Sequence, residues 1–350
     1  MKRAGSMTSM ERVMAALSLK EPDRVPWFPL LTTTGARELG LTIKEYFSKG
    51  VNVAEGQLRM RAKYGHDCLY AFFYASAEVE AWGGETTYSD DGPPNCGIPP
   101  LSSSEEILSL HPPLVRESPS LLKTLDAIGI MKADIGDEVP ILSVVISPFS
   151  LPAMQMGLES YIELLCERPE LFARLMEINE EFAVEWARAQ IEAGSTAIIY
   201  FDPISSPTII PRELYLKTGF PVARRTISKI GGTAAMHFAS GRCIPILEDV
   251  LKTGVGAVSA GCEEDLGELK RLAAGKIALV GNFNGLEMRR WSPTRAEEEV
   301  KKVLAVAAPG GGFILSDSHG EIPWLVTDEV LHATGEAVRK WGSYPLGWLS

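Results

Sequence analysis

Residues 194–203 read Gly194-Ser195-Thr196-Ala197-Ile198-Ile199-Tyr200-Phe201-Asp202-Pro203. The segment Thr196–Asp202 joins β-branched and aromatic side chains and is bounded by Gly and Pro, which predicts a strand. Ahead of it, Glu167–Ala193 carries apolar residues at helical spacing. Gly194 stands just past the helix end, where a left-handed residue closes the last turn. A helix passed directly to a short buried strand is the half-repeat of a parallel α/β protein, so its recurrence decides the fold.

Working outward, the same alternation recurs on both sides. Val25–Leu31, Cys68–Phe73, Val139–Ile146, Thr233–Ala239, Ala257–Ala260, Ile277–Asn282 and Gly312–Ser316 are strand-like, which with Thr196–Asp202 makes eight. Helical stretches separate them. Ser9-Met10-Glu11-Arg12 opens one through Leu19, Pro211–Ile230 and Thr327–Trp341 have helical period, and Ser292 caps Arg295–Ala307 with Pro293 at the first turn. Eight strands alternating with helices are the count of a (β/α)8 TIM barrel, and such a barrel can occupy residues 1–350 as a single domain. A doubly wound open sheet could carry the same count. Residues 84–113 are rich in Gly, Pro, Ser and Asp and are expected to form a rim or lid excursion after the second strand.

Composition narrows the partners. A net charge of −11 argues against nucleic acid and anionic membranes, which need a basic face. No apolar run approaches a membrane span. Met1–Thr8 carries charge with no apolar core behind it, so no signal peptide is expected, and Gly5-Ser6-Met7 is compatible with a cloning scar ahead of a native Met7. The five cysteines, at 68, 96, 166, 243 and 262, form no CxxC pair. A reducing, cytoplasmic setting fits them better than a disulfide framework.

A barrel carries its active site at the C-terminal ends of its strands. Read in order, those ends are Thr32-Thr33-Thr34-Gly35; Tyr74 and Ser76, with Glu78 and Glu80 following; Ser147-Pro148-Phe149; Asp202-Pro203, with Ser205 and Ser206 beyond; His237, then Ser240-Gly241-Arg242; Gly281-Asn282-Phe283-Asn284; and Ser316-Asp317-Ser318-His319-Gly320. Asp202, His237 and His319 end three different strands and are the catalytic candidates. Tyr74, Ser147, Ser206, Asn282, Asn284 and Asp317 are the substrate-binding candidates. Each has a plain structural alternative. A Ser or Asn often serves a turn or a cap. Asp202 before Pro203 suits an Asx-turn, His237 between Met236 and Phe238 suits a packed core, and His319 before Gly320 suits a solvated loop. His66, His111 and His332 read as surface. Gly310-Gly311-Gly312 precedes a strand instead of opening a helix, and so fails the geometry of a phosphate cradle.

The chain resembles the uroporphyrinogen decarboxylase superfamily, which includes the cobalamin-dependent methyltransferases. The likeness runs through Met10-Glu11-Arg12-Val13, Glu21-Pro22-Asp23-Arg24-Val25-Pro26, Ser147-Pro148-Phe149-Ser150-Leu151 with Met156-Gly157, Arg168-Pro169-Glu170-Leu171, Asp202-Pro203-Ile204-Ser205-Ser206-Pro207, Val280-Gly281-Asn282-Phe283-Asn284 and Gly312-Phe313-Ile314-Leu315-Ser316. The resemblance implies the (β/α)8 fold independently of the strand count. Porphyrin decarboxylases carry an arginine-rich segment after the first strand and a catalytic aspartate after the second. Here those places read Leu30-Leu31-Thr32-Thr33-Thr34-Gly35-Ala36-Arg37, with one arginine, and Phe72-Phe73-Tyr74-Ala75-Ser76, with no acid. A substrate with many carboxylates needs guanidinium partners. The methyltransferase branch is the closer match, chiefly through Asp202–Pro207.

Thiol-methylating members of that branch hold zinc through His-x-Cys after strand five and a second Cys after strand eight. This sequence keeps the histidine as His237, has Ala239 at the first cysteine place, and has Ser318-His319 near the second. Cys243 reads as a packed thiol. A zinc held by His237, His319 and a carboxylate such as Asp202 or Glu80 would be harder and more electrophilic than a thiolate-bound one. The alternative is a metal-free site in which Asp202, His237 and Asn282 orient substrate and His319 acts as general acid.

The leading expectation is a corrinoid-linked methyltransferase. It would move a methyl group between a small substrate or carrier and cobalamin on a separate corrinoid protein, since no Asp-x-His-x-x-Gly corrinoid-binding pattern is evident. The alternatives are a decarboxylase or other lyase acting on an acid smaller than a porphyrin, and a non-catalytic binding protein on the same barrel.

Overall fold

In a computed structural model the chain is described from Met7 to Leu349, so the Gly5-Ser6 part of the cloning-scar reading lies outside the described residues. Seven parallel strands form one sheet, hydrogen-bonded in chain order: β1 (Leu69–Tyr70), β2 (Ile141–Ile146), β3 (Ala197–Phe201), β4 (Ala234–His237), β5 (Ala257–Ser259), β6 (Ala278–Phe283) and β7 (Phe313–Asp317). Each matches one expected strand, most trimmed by a residue or more at the ends.

The first expected strand, Val25–Leu31, builds no ladder of its own. It lies between the two edges of the sheet. Leu315 N donates to Pro26 O at 2.9 Å and Phe28 N to Leu315 O at 2.8 Å, while Asp67 N donates to Trp27 O at 2.8 Å. Trp27 and Leu315 form a single parallel bridge. Pro26 and Pro29 remove two backbone donors, which is why this segment staples the edges together without extending the sheet. The (β/α)8 reading therefore stands, with seven ladder strands and one proline-interrupted stave.

The helices follow their sequence signals, with two divisions. Pro169 disfavours helical geometry at Arg168, whose φ is −127° and ψ 64°. The long amphipathic stretch accordingly starts afresh as Pro169–Ala193 after Leu158–Glu167. Pro211–Ile230 likewise divides into Arg212–Lys217 and Gly219–Ile230. Ser292 caps Pro293–Ala307, its Oγ accepting from Arg295 N at 3.2 Å. Within 84–113, Thr86–Thr87 pairs antiparallel with Asn95–Cys96, and a 3-10 turn follows at Ser104–Ser109. No helix among the described residues is long and apolar enough to cross a membrane.

The end of the barrel where the strands begin is closed by the helix Ser9–Leu17, started by a reciprocal Thr8–Glu11 capping box. Arg12 on that helix donates to Asp23 at 2.6 Å and to Asp67 at 2.7 Å. Asp67 also accepts from Arg24, Trp27 N and Ser9 Oγ. This network lies at the start of the stave and of β1, so the Arg12, Asp23 and Arg24 motifs close the barrel floor.

Candidate active site at the strand ends

Side chains alternate across a strand, so neighbours in sequence face opposite sides of the barrel wall. At the C-terminal end of β3, Phe201 faces inward and stacks on His237 of β4, with ring centroids 5.5 Å apart and an interplanar angle of 29°. The two are ladder partners. Asp202 is the next residue and faces outward. It is fully buried, and its Oδ1 accepts from Ser147 Oγ at 2.5 Å and Ser150 Oγ at 2.7 Å. Its charge is felt by Tyr161, Tyr200 and Tyr215. Burial raises the Asp202 pKa, and hydrogen bonds from Ser147 and other serines pull it back. Asp202 and Ser147 are thus brought together, but on the far side of the wall from His237.

His237 lines the barrel interior with Phe28, Leu30, Val280 and Ile314. Its Nδ1 accepts from Ala239 N at 3.0 Å, and its Nε2 is buried with no partner. Burial, helped by the nearby His319, pushes its pKa down to about 4, so the ring is neutral near pH 7. Gly320 lies over this pair. Its φ is +94°, and a Cβ there would come within 3.5 Å of Phe201 and 4.0 Å of His237. His319 is half-buried, and its pKa is lowered by burial against a raising influence from Glu263.

Asp317 ends β7 and is buried. Its oxygens accept from Leu30 N at 3.2 Å and His319 N at 3.1 Å, and burial pushes its pKa up to about 7. Glu321 accepts from Thr33 Oγ1 at 2.6 Å and is also raised by burial. Tyr70 on β1 reaches Gly320 O at 3.5 Å and feels both carboxylates. Cys262 and Glu263 follow β5 on the same rim: burial raises the Cys262 thiol, with Asp317 adding to it, and His319 feels Glu263. Among the described residues, no lysine or arginine makes a hydrogen bond or ion pair with Asp317, Glu321 or Glu263.

Of the other candidates, Tyr74, Ser206 and Asn284 make structural contacts, and Asn282 stays beside Cys262. Tyr74 packs on Phe47 in a second apolar cluster behind the sheet and donates to Glu80 at 3.0 Å. Ser206 donates to Arg242 O at 2.8 Å and accepts from Thr208 N at 3.1 Å, which ties two loops together. Asn284 caps the short helix Gly285–Met288 through Leu286 N and Glu287 N. Asn282 donates to Gly261 O at 3.2 Å and lines a 550 Å³ cavity with Cys262, Arg290 and Trp291. His66, expected at the surface, is buried edge-on against Trp27 and held down to about 3. Cys243 is packed, its Sγ 3.3 Å from Glu264.

Thr33 was among the strand-end residues, whereas Glu321, Tyr70, Cys262 and Glu263 escaped the sequence reading. For Cys262 and Glu263 the signal was present: they follow Ala257–Ala260, and the strand-end rule applied there points at both.

Zinc does not fit the donors present. Among the described residues no three His, Cys, Asp or Glu side chains converge as a metal-binding group. The expected set of His237, His319 and Asp202 fails because Asp202 faces the helical layer. A metal-bound histidine normally donates its second ring N–H to an acceptor. Here the second nitrogen of His237 is itself an acceptor.

A methyltransferase from Methanosarcina mazei superposes with a TM-score of 0.86 at 20% identity, covering 96% of this chain and 99% of that one, which establishes the barrel fold. The methylcobamide:CoM methyltransferase MtaA of Methanosarcina barkeri is 23% identical over 92% of this chain and 95% of its own length. A uroporphyrinogen decarboxylase from Geobacter metallireducens is 28% identical over 59% of this chain and 62% of its own length. A second MtaA, from the Fusaro strain of Methanosarcina barkeri, is matched over only 60% of its length. The family model for uroporphyrinogen decarboxylase (URO-D) matches residues 8–341, and the chain belongs to that family.

Proposed function

We propose that this chain is a corrinoid-linked methyltransferase, moving a methyl group between a small substrate and cobalamin carried by a separate protein. The observation that carries this reading is the mouth itself. Its carboxyls, Asp317, Glu321 and Glu263, have no cation bonded to them among the described residues. A porphyrin with many carboxylates would find no guanidinium partner bonded there, whereas a small neutral methyl donor needs none. The likeness to a methylcobamide:CoM methyltransferase along nearly the whole chain supports the same choice.

The corrinoid, when bound, supplies the cobalt that takes or gives the methyl group. The chain's own residues bind and orient the substrate. As the bond from methyl carbon to donor atom breaks, that atom keeps the bonding pair and needs a proton or a hydrogen bond. Asp317, pushed up to about 7, holds a proton near neutrality, and His319 stands beside it. Phe201 stacks on His237, and Gly320 lies over the pair.

Asp317 also favours a second reading, a lyase acting on an acid smaller than a porphyrin. There the C–C bond breaks, carbon dioxide leaves, and the electron pair left on carbon takes the Asp317 proton.

Equilibrium binding of methylcobalamin against uroporphyrin tests the choice. Saturable binding of methylcobalamin with none of the porphyrin is expected. Porphyrin binding without methylcobalamin binding would overturn the methyltransferase reading.

A further inference from the structure

We infer that His237 serves this chain as a neutral hydrogen-bond donor, its Nε2–H held for an oxygen or nitrogen atom of the substrate, and not as a metal ligand. The substrate class in this inference rests on the methyltransferase reading above; the state of the ring does not.

Ala239 N lies 3.0 Å from His237 Nδ1 and can only donate. Nδ1 must therefore offer its lone pair. A neutral imidazole carries one N–H, so the proton sits on Nε2. Ala239 has φ +53°, a left-handed conformation unusual for a residue with a Cβ, and that turn aims its amide back at the ring. The lock is thus built into the chain just past the end of β4.

A metal on Nε2 would require the proton to leave. It would have to move to Nδ1, where it would meet the Ala239 N–H head-on, or be lost altogether. Neither suits a zinc ligand, whose other nitrogen normally donates. The ring stacks on Phe201, with Gly320 over the pair, and the Ala239 amide selects the orientation that puts Nδ1 toward it.

Nε2 is buried and has no partner in the chain. Buried donors are almost always satisfied, and exceptions call for an explanation. A ligand acceptor supplies one. Oxygen and nitrogen lone pairs accept well, whereas thiol and thioether sulfur accept weakly. The donor therefore selects a methyl carried on oxygen or nitrogen, or a carrier that presents such an atom.

The test uses the wild-type chain with ¹⁵N-labelled histidine, and His237→Gln to assign the resonance. Long-range ¹H–¹⁵N correlation is expected to show Nε2 protonated and Nδ1 unprotonated, unchanged by excess zinc sulfate. Elemental analysis after dialysis is expected to find no stoichiometric zinc. A proton on Nδ1, or a zinc-dependent shift of the His237 signals, would overturn the inference. With the ring state as expected, methyl exchange with free cobalamin is then compared for O-methyl, N-methyl and S-methyl donors. Preference for O- or N-methyl donors by tenfold or more supports the substrate class. Preference for S-methyl donors overturns that class while leaving methyl transfer standing. Absence of exchange with every donor, beside saturable porphyrin binding, would overturn the methyltransferase reading and the substrate class with it.

Discussion

The two ends of the barrel treat charge in opposite ways. At the floor, Asp67 is buried and takes five hydrogen-bond donors: Arg12 and both Arg24 nitrogens, together with Trp27 N and Ser9 Oγ. Asp23 takes Arg12 in a two-point fork. Both carboxyls are held below their ordinary range despite burial, Asp67 chiefly by the charges of Arg24 and Arg12 and Asp23 chiefly by the Arg12 hydrogen bond. At the mouth, burial raises Asp317 and Glu321 with no cation to offset it, and His237 keeps an unmatched donor. A satisfied buried network contributes to one well-defined structure, whereas an unsatisfied one is tolerated where a ligand completes it. The difference separates the end that holds the barrel together from the end that works.

The largest expected effect breaks the floor. Asp67→Ala leaves the Arg12 and Arg24 guanidinium groups without their shared counterion and should cost on the order of 3–5 kcal/mol. Denaturant unfolding reads this directly. A loss under about 1 kcal/mol would show that the floor network is not what closes the barrel.

The next effect is in pH. Asp23 and Asp67 have lowered folded pKa values, so their stabilisation is present above the ordinary carboxylate range and is lost as pH falls through the folded values. Glu78, buried near the end of β2, works the other way. Its Oε1 accepts from Ile146 N at 2.9 Å, and burial pushes its pKa up to about 8 against the lowering pull of Ile146 N and Trp186. A raised acid contributes stability below its unfolded pKa that is lost as pH rises through the folded one. Glu78→Gln should therefore match wild type near pH 5 and exceed it above pH 8, by on the order of 1–3 kcal/mol. Thermal unfolding across that range that shows no such divergence would show that Glu78 is not held protonated by burial.

The smallest stability effect is expected at the mouth. His237→Leu removes the Nε2–H and fills the apolar interior, and should change unfolding stability by only about 1 kcal/mol. Its methyl exchange with cobalamin should fall by tenfold or more. Loss of stability comparable to Asp67→Ala, with exchange unchanged, would reverse the contrast between the two ends.

The sequence discloses these ends unequally. The strands were legible because β-branched runs bounded by Gly and Pro recur between helices, as at Thr196–Asp202. His237, His319 and Asp317 were legible because the strand-end rule needs only position along the chain. Asp202 misled that rule. It stands at a strand end, but one residue past inward-facing Phe201, and a single step along a strand reverses the face. The first stave was legible as a strand, while its lack of a ladder follows from Pro26 and Pro29. Asn284 and Ser206 lie at strand-end loops and turned out to serve a cap and a loop tie, roles their residue types also suit. His66 looked superficial because nothing in its neighbourhood along the chain reveals that Trp27 packs on it from a distant segment. Glu321 and Thr33 meet across 288 positions, a pairing that no local pattern records.

The most direct test of the account is spectroscopic. Wild-type protein is mixed under anaerobic conditions with free cob(I)alamin and a set of small O- and N-methyl donors, and the absorbance change to methylcobalamin is followed beside a parallel assay with uroporphyrinogen. The account predicts protein-dependent methylcobalamin formation with at least one donor, sharply reduced in His237→Leu, and no coproporphyrinogen. Conversion of uroporphyrinogen to coproporphyrinogen at an enzymatic rate, without any methylation of cobalamin, would contradict it.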